Sequence, residues 1–316
     1  MMASGRRAHG RKRGGAITAG CGRRLAGTLL ALWLVLGAAA AQAAWPQVVA
    51  SKDGTPISYE VRGPGETTLV LVHGWSCDAR YWRAQVEALS ATYRVVTLDL
   101  AGHGHSGAAR SRYTMQAFGE DVQAVTEAAA SGKVILIGHS MGGVVIAEAA
   151  RLLPGRVQGL IGVDTLHNIE HPLTREELEQ MAAPLRQDFP AGCRQFVQGM
   201  IGAGTEPALR DWILADMAAA PPAVAISALN EMMSLYVTGD AARLFEAVPL
   251  PVIAVNGDLW PIADEANRRH MASFEAVVLK GADHFLMLTR PDELNAALAQ
   301  AVKDLLARPA PGDGGQ

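Results

Sequence analysis

Seven short β-rich runs punctuate the chain between Pro56 and Gly281: PISYEVRG, TTLVLVHG, YRVVTLDL, KVILIGHS, VQGLIGVD, LPVIAVNGD and FEAVVLKG. Several stay apolar instead of alternating, the pattern of strands buried on both faces of a parallel sheet. Segments such as AFGEDVQAVTEAAA and PDELNAALAQAVKDLL lie between or after them and repeat their apolar positions at helical spacing. Strand and helix in alternation predict the α/β class, with a mostly parallel sheet flanked by helices.

One interval breaks the rhythm. From 165 to 248 no convincing strand occurs, while REELEQMAAPLRQ, CRQFVQGMI, ALRDWILADMAA and AISALNEMMSLYV all have helical patterns. The interval is too long for a loop, so we expect a helical cap inserted between a first core segment, 45–164, and a second, 249–308. Met181, Met200, Met217, Met232 and Met233 either line an apolar pocket there, where thioethers adapt to flexible chains, or fill the core of a small helical layer. The last residues, 309–316, have the composition of a disordered tail.

Composition changes this picture mainly at the N-terminus. The hydrophobic content of 49% and charged content of 19% over 316 residues describe a globular protein with a large core. The net charge of -3 conceals an asymmetry, since Arg6, Arg7, Arg11, Lys12, Arg13, Arg23 and Arg24 all fall before residue 44, which holds no acid. Without them, 21 basic residues face 31 acidic ones. The basic stretch precedes LAGTLLALWLVLGAAAA and then small residues at Ala41 and Ala43. That order predicts a signal peptide over 1–44, with cleavage near Ala43 or Ala44 and export to the periplasm or the exterior. A nucleic-acid-binding arm does not fit the apolar run. Membrane contact is expected only if the leader stays uncleaved, the run being near the lower length limit for a span. Cys77 and Cys193 remain after cleavage, as a disulfide or as two separate buried thiols.

Candidate chemistry concentrates at KVILIGHSMGGVV, where Ser140 stands between an apolar strand and a helix. A serine hydroxyl attacks well only when a base takes its proton and donors stabilise the resulting oxyanion. Gly138 and Gly142 leave room for a sharp strand-to-helix turn that holds Ser140 at the sheet's C-terminal edge. His103 and His105 have no Asp, Glu or Cys cluster beside them to suggest a metal site, and loop hydrogen bonding is expected of them.

From about Val48 to Leu306 the chain resembles the α/β-hydrolase family. The resemblance rests on GHSMG, on LVHGW (Leu71 to Trp75), on LDLAGHGHSG (Leu98 to Gly107) and on ADHF around His284. It implies an eight-stranded sheet, with the backbone N–H groups of Trp75 and Met141 as the oxyanion hole. It also implies His284 as the base, just after the last strand run and before the last helix. His73 and His139 are expected to be structural, and His167, His171 and His270 are weaker candidates. In most of the family the triad acid lies three residues after the glycine that ends PVIAVNG, a position held here by Trp260. Either Asp258 takes its place, or Asp164, at the end of VQGLIGVD, is the acid, as in pancreatic-type lipases and one group of haloalkane dehalogenases. Asp164 needs no shift of register and is preferred. Asp264 and Asp283 are expected at the surface.

The resemblance implies a serine hydrolase that cleaves a carboxylic ester or related acyl substrate through an acyl-enzyme, with a small-molecule substrate and neither metal nor organic cofactor. Lactonases, C–C hydrolases and perhydrolases share the motif, and a ligand receptor on the same fold is the alternative outside enzymes.

Overall fold

The computed structural model describes residues 46–308. The expected signal peptide and the expected tail lie outside the described residues. All seven strand runs form strands: β2 (Pro56–Arg62), β3 (Thr68–Val72), β4 (Arg94–Leu98), β5 (Val134–His139), β6 (Val157–Val163), β7 (Pro251–Gly257) and β8 (Ser273–Leu279). An eighth, β1 (Gln47–Ala50), pairs antiparallel with β2 at the sheet edge. Its four residues alternate between exposed and half-buried, too short a signal to stand out from the chain around it.

The sheet order is β1-β2-β4-β3-β5-β6-β7-β8. β2 runs antiparallel to β4, and every pair from β4 through to β8 is parallel. β3 and β5 are buried along their whole length, which accounts for their unbroken apolar sequence. Helix Met115–Ala129 packs on helix Met141–Leu152, and helix Arg83–Leu89 on helix Pro291–Ala307, to build the covering layers. Register matters more for function. Val72 pairs with Gly138, Gly138 with Gly162, and Val163 with Val255, so β3, β5, β6 and β7 end side by side. Loops leaving those ends share one rim, where open α/β sheets bind their ligands.

Between β6 and β7 the chain is helical: Arg175–Gln187, Phe189–Gln198, Pro207–Ala218, Pro222–Thr238 and Asp240–Glu246. Local chemistry sets these boundaries. Thr174 and Glu177 form a reciprocal capping box, Asp188 accepts from the Ala191 N–H, and Glu206 accepts from Ala208 and Leu209. Gly239, at φ 74°, ends the longest of them in the left-handed conformation that glycine adopts without penalty. Among the described residues no single helix is long and apolar enough to cross a membrane. Cys77 and Cys193 are separate, buried free thiols.

Candidate active site

Ser140 leaves β5 with φ 51° and ψ −117°, and the helix begins at the next residue. A non-glycine residue in this region carries strain on the order of 1–3 kcal/mol. The surroundings leave the turn little choice. A Cβ on Gly138 would stand 2.2 Å from the Gly142 carbonyl oxygen, and one on Gly142 would stand 2.6 Å from that of Val72. Ser76, Asp164 and Leu166 are the other described non-glycine residues at positive φ. All four follow the ends of β3, β5 and β6, so the backbone strain collects at one rim.

His284 stands on the loop after β8 and is 8% exposed. Its Nδ1–H donates to Oδ2 of Asp164 over 2.6 Å. Asp164 is fully buried, and its other oxygen accepts the Gly257 N–H at 2.8 Å. Burial works against the charge of this carboxylate, but the His167 and His284 side chains outweigh it and hold the group below the usual carboxylate range. Of the two, His284 is the hydrogen-bond partner, because His167 Nε2 lies 3.7 Å from Oδ1. Asn256 braces the turn by accepting from the Thr165 N–H and donating to the Thr165 carbonyl. Asp258, the other candidate acid, faces away and accepts the Gly281 N–H at 2.8 Å. Trp260 stands edge-on to both His167 and His284, with ring centroids 5.5 Å from each.

Trp75 follows β3, and Met141 opens the helix after Ser140. Among the described residues neither N–H is given to a backbone acceptor outside the regular elements. The loop before Trp75 is fixed by His73, whose Nδ1–H donates to the Gly74 carbonyl while Nε2 accepts the Leu100 N–H. Trp75 donates its indole N–H to the Ala225 carbonyl of the cap, at 2.7 Å, and meets Phe189 and Phe196 edge to face. His139 Nε2–H donates to the His284 carbonyl at 2.9 Å. Burial, then the nearby His284 ring, lower the His139 pKa to about 3, so it is a neutral strut. His103 is likewise buried and lowered to about 3, and it bonds the Ala101 carbonyl in its own loop. His105 bonds Asp99 from the same loop.

Asp283 corrects an expectation. It is 5% exposed rather than on the surface, and accepts from the Gly202 N–H, the Thr205 hydroxyl, the Phe285 N–H and the Thr289 hydroxyl. Two of those donors belong to the cap, and the other two, Phe285 and Thr289, bracket the short helix Leu286–Thr289. The sequence did carry a signal, an aspartate just ahead of a helical start, where it caps backbone N–H groups. His270 sits between Glu170 and Glu246, away from the Ser140 rim. Among the described residues no group of three or more His, Cys, Asp or Glu side chains is arranged to hold a metal ion.

Two cavities open on Ser140 and His284. The larger, about 590 Å³, is bordered by Asp164, His167, Asn168, His171, Tyr236 and Trp260. The smaller, about 80 Å³, is bordered by Trp75, Cys77, Phe196, Met217, Leu229 and Phe285. The arrangement offers a hydroxyl at a strained turn, an imidazole oriented by a buried carboxylate, and two N–H groups beside them, which are the parts acyl transfer needs.

Comparison with known proteins shows the family and the fold. The profile described as "Alpha/beta hydrolase family" matches residues 69–297. A pimeloyl-[acyl-carrier protein] methyl ester esterase of Sodalis glossinidius is 30% identical over 74% of this chain and 92% of its own length. A non-heme chloroperoxidase of Streptomyces lividans is 29% identical over 81% of this chain and 99% of its own. Among solved structures, a thermophilic esterase from Thermogutta terrifontis superposes with a TM-score of 0.70 at 24% identity, covering 83% of this chain and 99% of that one.

Proposed function

Because the chain belongs to the α/β-hydrolase family, we propose that it is a serine hydrolase that cleaves carboxylic esters of small molecules, with Ser140, His284 and Asp164 as its triad. The observation that carries the reading is the 2.6 Å bond from His284 to buried Asp164, beside a serine that lines the same two cavities. Donation from Nδ1 leaves the Nε2 lone pair free to accept the Ser140 proton as Oγ attacks the ester carbonyl. The carbonyl oxygen becomes an oxyanion, and the N–H groups of Trp75 and Met141 stabilise it. As the C–O bond breaks, His284 returns the proton to the departing alcohol. Water then attacks the acyl-serine and gives a proton to His284, which passes it to Ser140 Oγ as the acyl–oxygen bond breaks, so that a carboxylic acid leaves and the serine hydroxyl and neutral imidazole are restored. Similarity to a protein named as a methyl ester esterase supports the substrate class.

A fluorophosphonate probe tests this reading. We expect rapid labelling of the wild type, none of Ser140→Ala, and labelling slowed by orders of magnitude in His284→Ala. Undiminished labelling of Ser140→Ala overturns it. Lactone and amide substrates run beside esters separate ester cleavage from the other reactions of the family. We also infer export, supported by the order of basic, apolar and small residues over 1–44. Detection of the protein only in the cytoplasm with its leader intact would exclude it.

A further inference from the structure

Four residues border both cavities: Ser140, His284, Met232 and Met233. The first two belong to the reacting centre. The two methionines come from the cap helix Pro222–Thr238 and separate the wide cleft from the small chamber. Both compartments are mainly apolar, and they differ in size and in the polar groups they contain. The cleft carries polar groups on Thr165, His167, Asn168 and Tyr236, whereas the chamber is walled by aromatic, thioether and aliphatic side chains. The chamber's remaining polar ring, His139, is neutral and bonded to the His284 carbonyl.

Deepening the ester-hydrolase reading, on which this rests, we propose that Met232 and Met233 form a septum that confines the acyl arm of the ester to the small chamber and leaves the alcohol arm in the wide cleft, making short-chain acyl esters the substrate class. The order of events assigns the arms. The alcohol leaves first and water must take its place beside His284 while the acyl group is still bonded to Ser140. A small chamber offers neither an exit for the alcohol nor a hydrogen-bonded path for that water, whereas the wide cleft has room for the first and, at Thr165, His167, Asn168 and Tyr236, polar groups for the second. Volume sets the length. An apolar cavity of ~150 Å³ accepts benzene, and about half that volume holds the hydrocarbon part of acyl groups from acetyl to butyryl.

The test is an acyl-length series of p-nitrophenyl esters, from acetate to octanoate, on the wild type, Met232→Ala, Met233→Ala and Phe196→Ala. In the wild type kcat/KM is expected to rise toward butyrate by up to about fourfold per buried methylene, then to fall at least ~10-fold at octanoate as the chamber is overfilled. Either methionine variant is expected to recover octanoate relative to acetate by ~10-fold or more, the sum of a few such methylene contributions. Phe196→Ala enlarges the chamber from another wall and is expected to lengthen the optimum as well, so the inference survives if one methionine variant misfolds. A flat wild-type series overturns it. So does a series in which octanoate exceeds butyrate, or a set of folded variants whose profile matches the wild type. Ester turnover with the wrong length profile sinks the septum alone. Absence of both turnover and phosphonate labelling sinks the hydrolase reading with it.

Discussion

His284 and Asp164 meet at 2.6 Å although 120 positions separate them in the chain, and the carboxylate that joins them is fully buried. Asp258 bonds the Gly281 N–H instead. Asp164→Asn is therefore expected to lower kcat by roughly 10⁴, the scale of replacing a triad acid with its amide. Asp258→Asn should stay within several-fold of wild type. Steady-state kinetics on one activated ester ranks the two, and the opposite ranking refutes the assignment.

Asp283 ties the histidine loop to the cap through Gly202 and Thr205. Asp283→Ala leaves the buried Phe285 N–H unpaired, at a cost of about 1–3 kcal/mol, and removes the acceptor of three part-buried donors. Tm is expected to fall by about 5–10 °C at this chain length, with a loss in kcat because His284 is the next residue. Calorimetry and kinetics on the same preparation check both. An unchanged Tm would show that these contacts are not formed in solution.

Stability should decline in mild acid. His103 and His139 are held at about 3, below the ordinary histidine value of 6.5. Between those limits the unfolded chain binds protons that the folded chain refuses, so stability is complete above about pH 6.5 and is lost as pH falls toward 3. At about 1.4 kcal/mol per pH unit, each ring removes on the order of 3 kcal/mol by pH 4. Asp164, whose folded pKa is lowered, adds its own loss below its unfolded value of 3.8. Urea midpoints across pH 4–7 measure the slope, and a flat profile contradicts buried neutral rings.

Legibility followed the range of the forces involved. β3 and β5 are sealed on both faces, so their sequences could only be apolar, and the glycines beside Ser140 mark a turn that tolerates no Cβ. β1 is short and half exposed and left almost no trace. The strand-end position of Asp164 favours it over Asp258 in the sequence, but the bond to His284 depends on how two loops leave the sheet, which no local pattern encodes. The sequence does not reveal that Asp283 is buried, because two of its four donors lie about 80 residues away in the cap. The chamber is invisible in the sequence for the same reason, since its walls come from the loop after β3, the end of β5, the histidine loop and the cap together. The missing strands predict a cap, but the spacing of its methionines does not distinguish pocket lining from core packing.

The indole of Trp75 is moored to the backbone of the overlying helix. In the proposed mechanism the Trp75 N–H faces the developing negative charge, so an outward swing of that helix is expected to tug on this donor. Under that proposal, a roof pried ajar is expected to leave the furnace beneath it unlit.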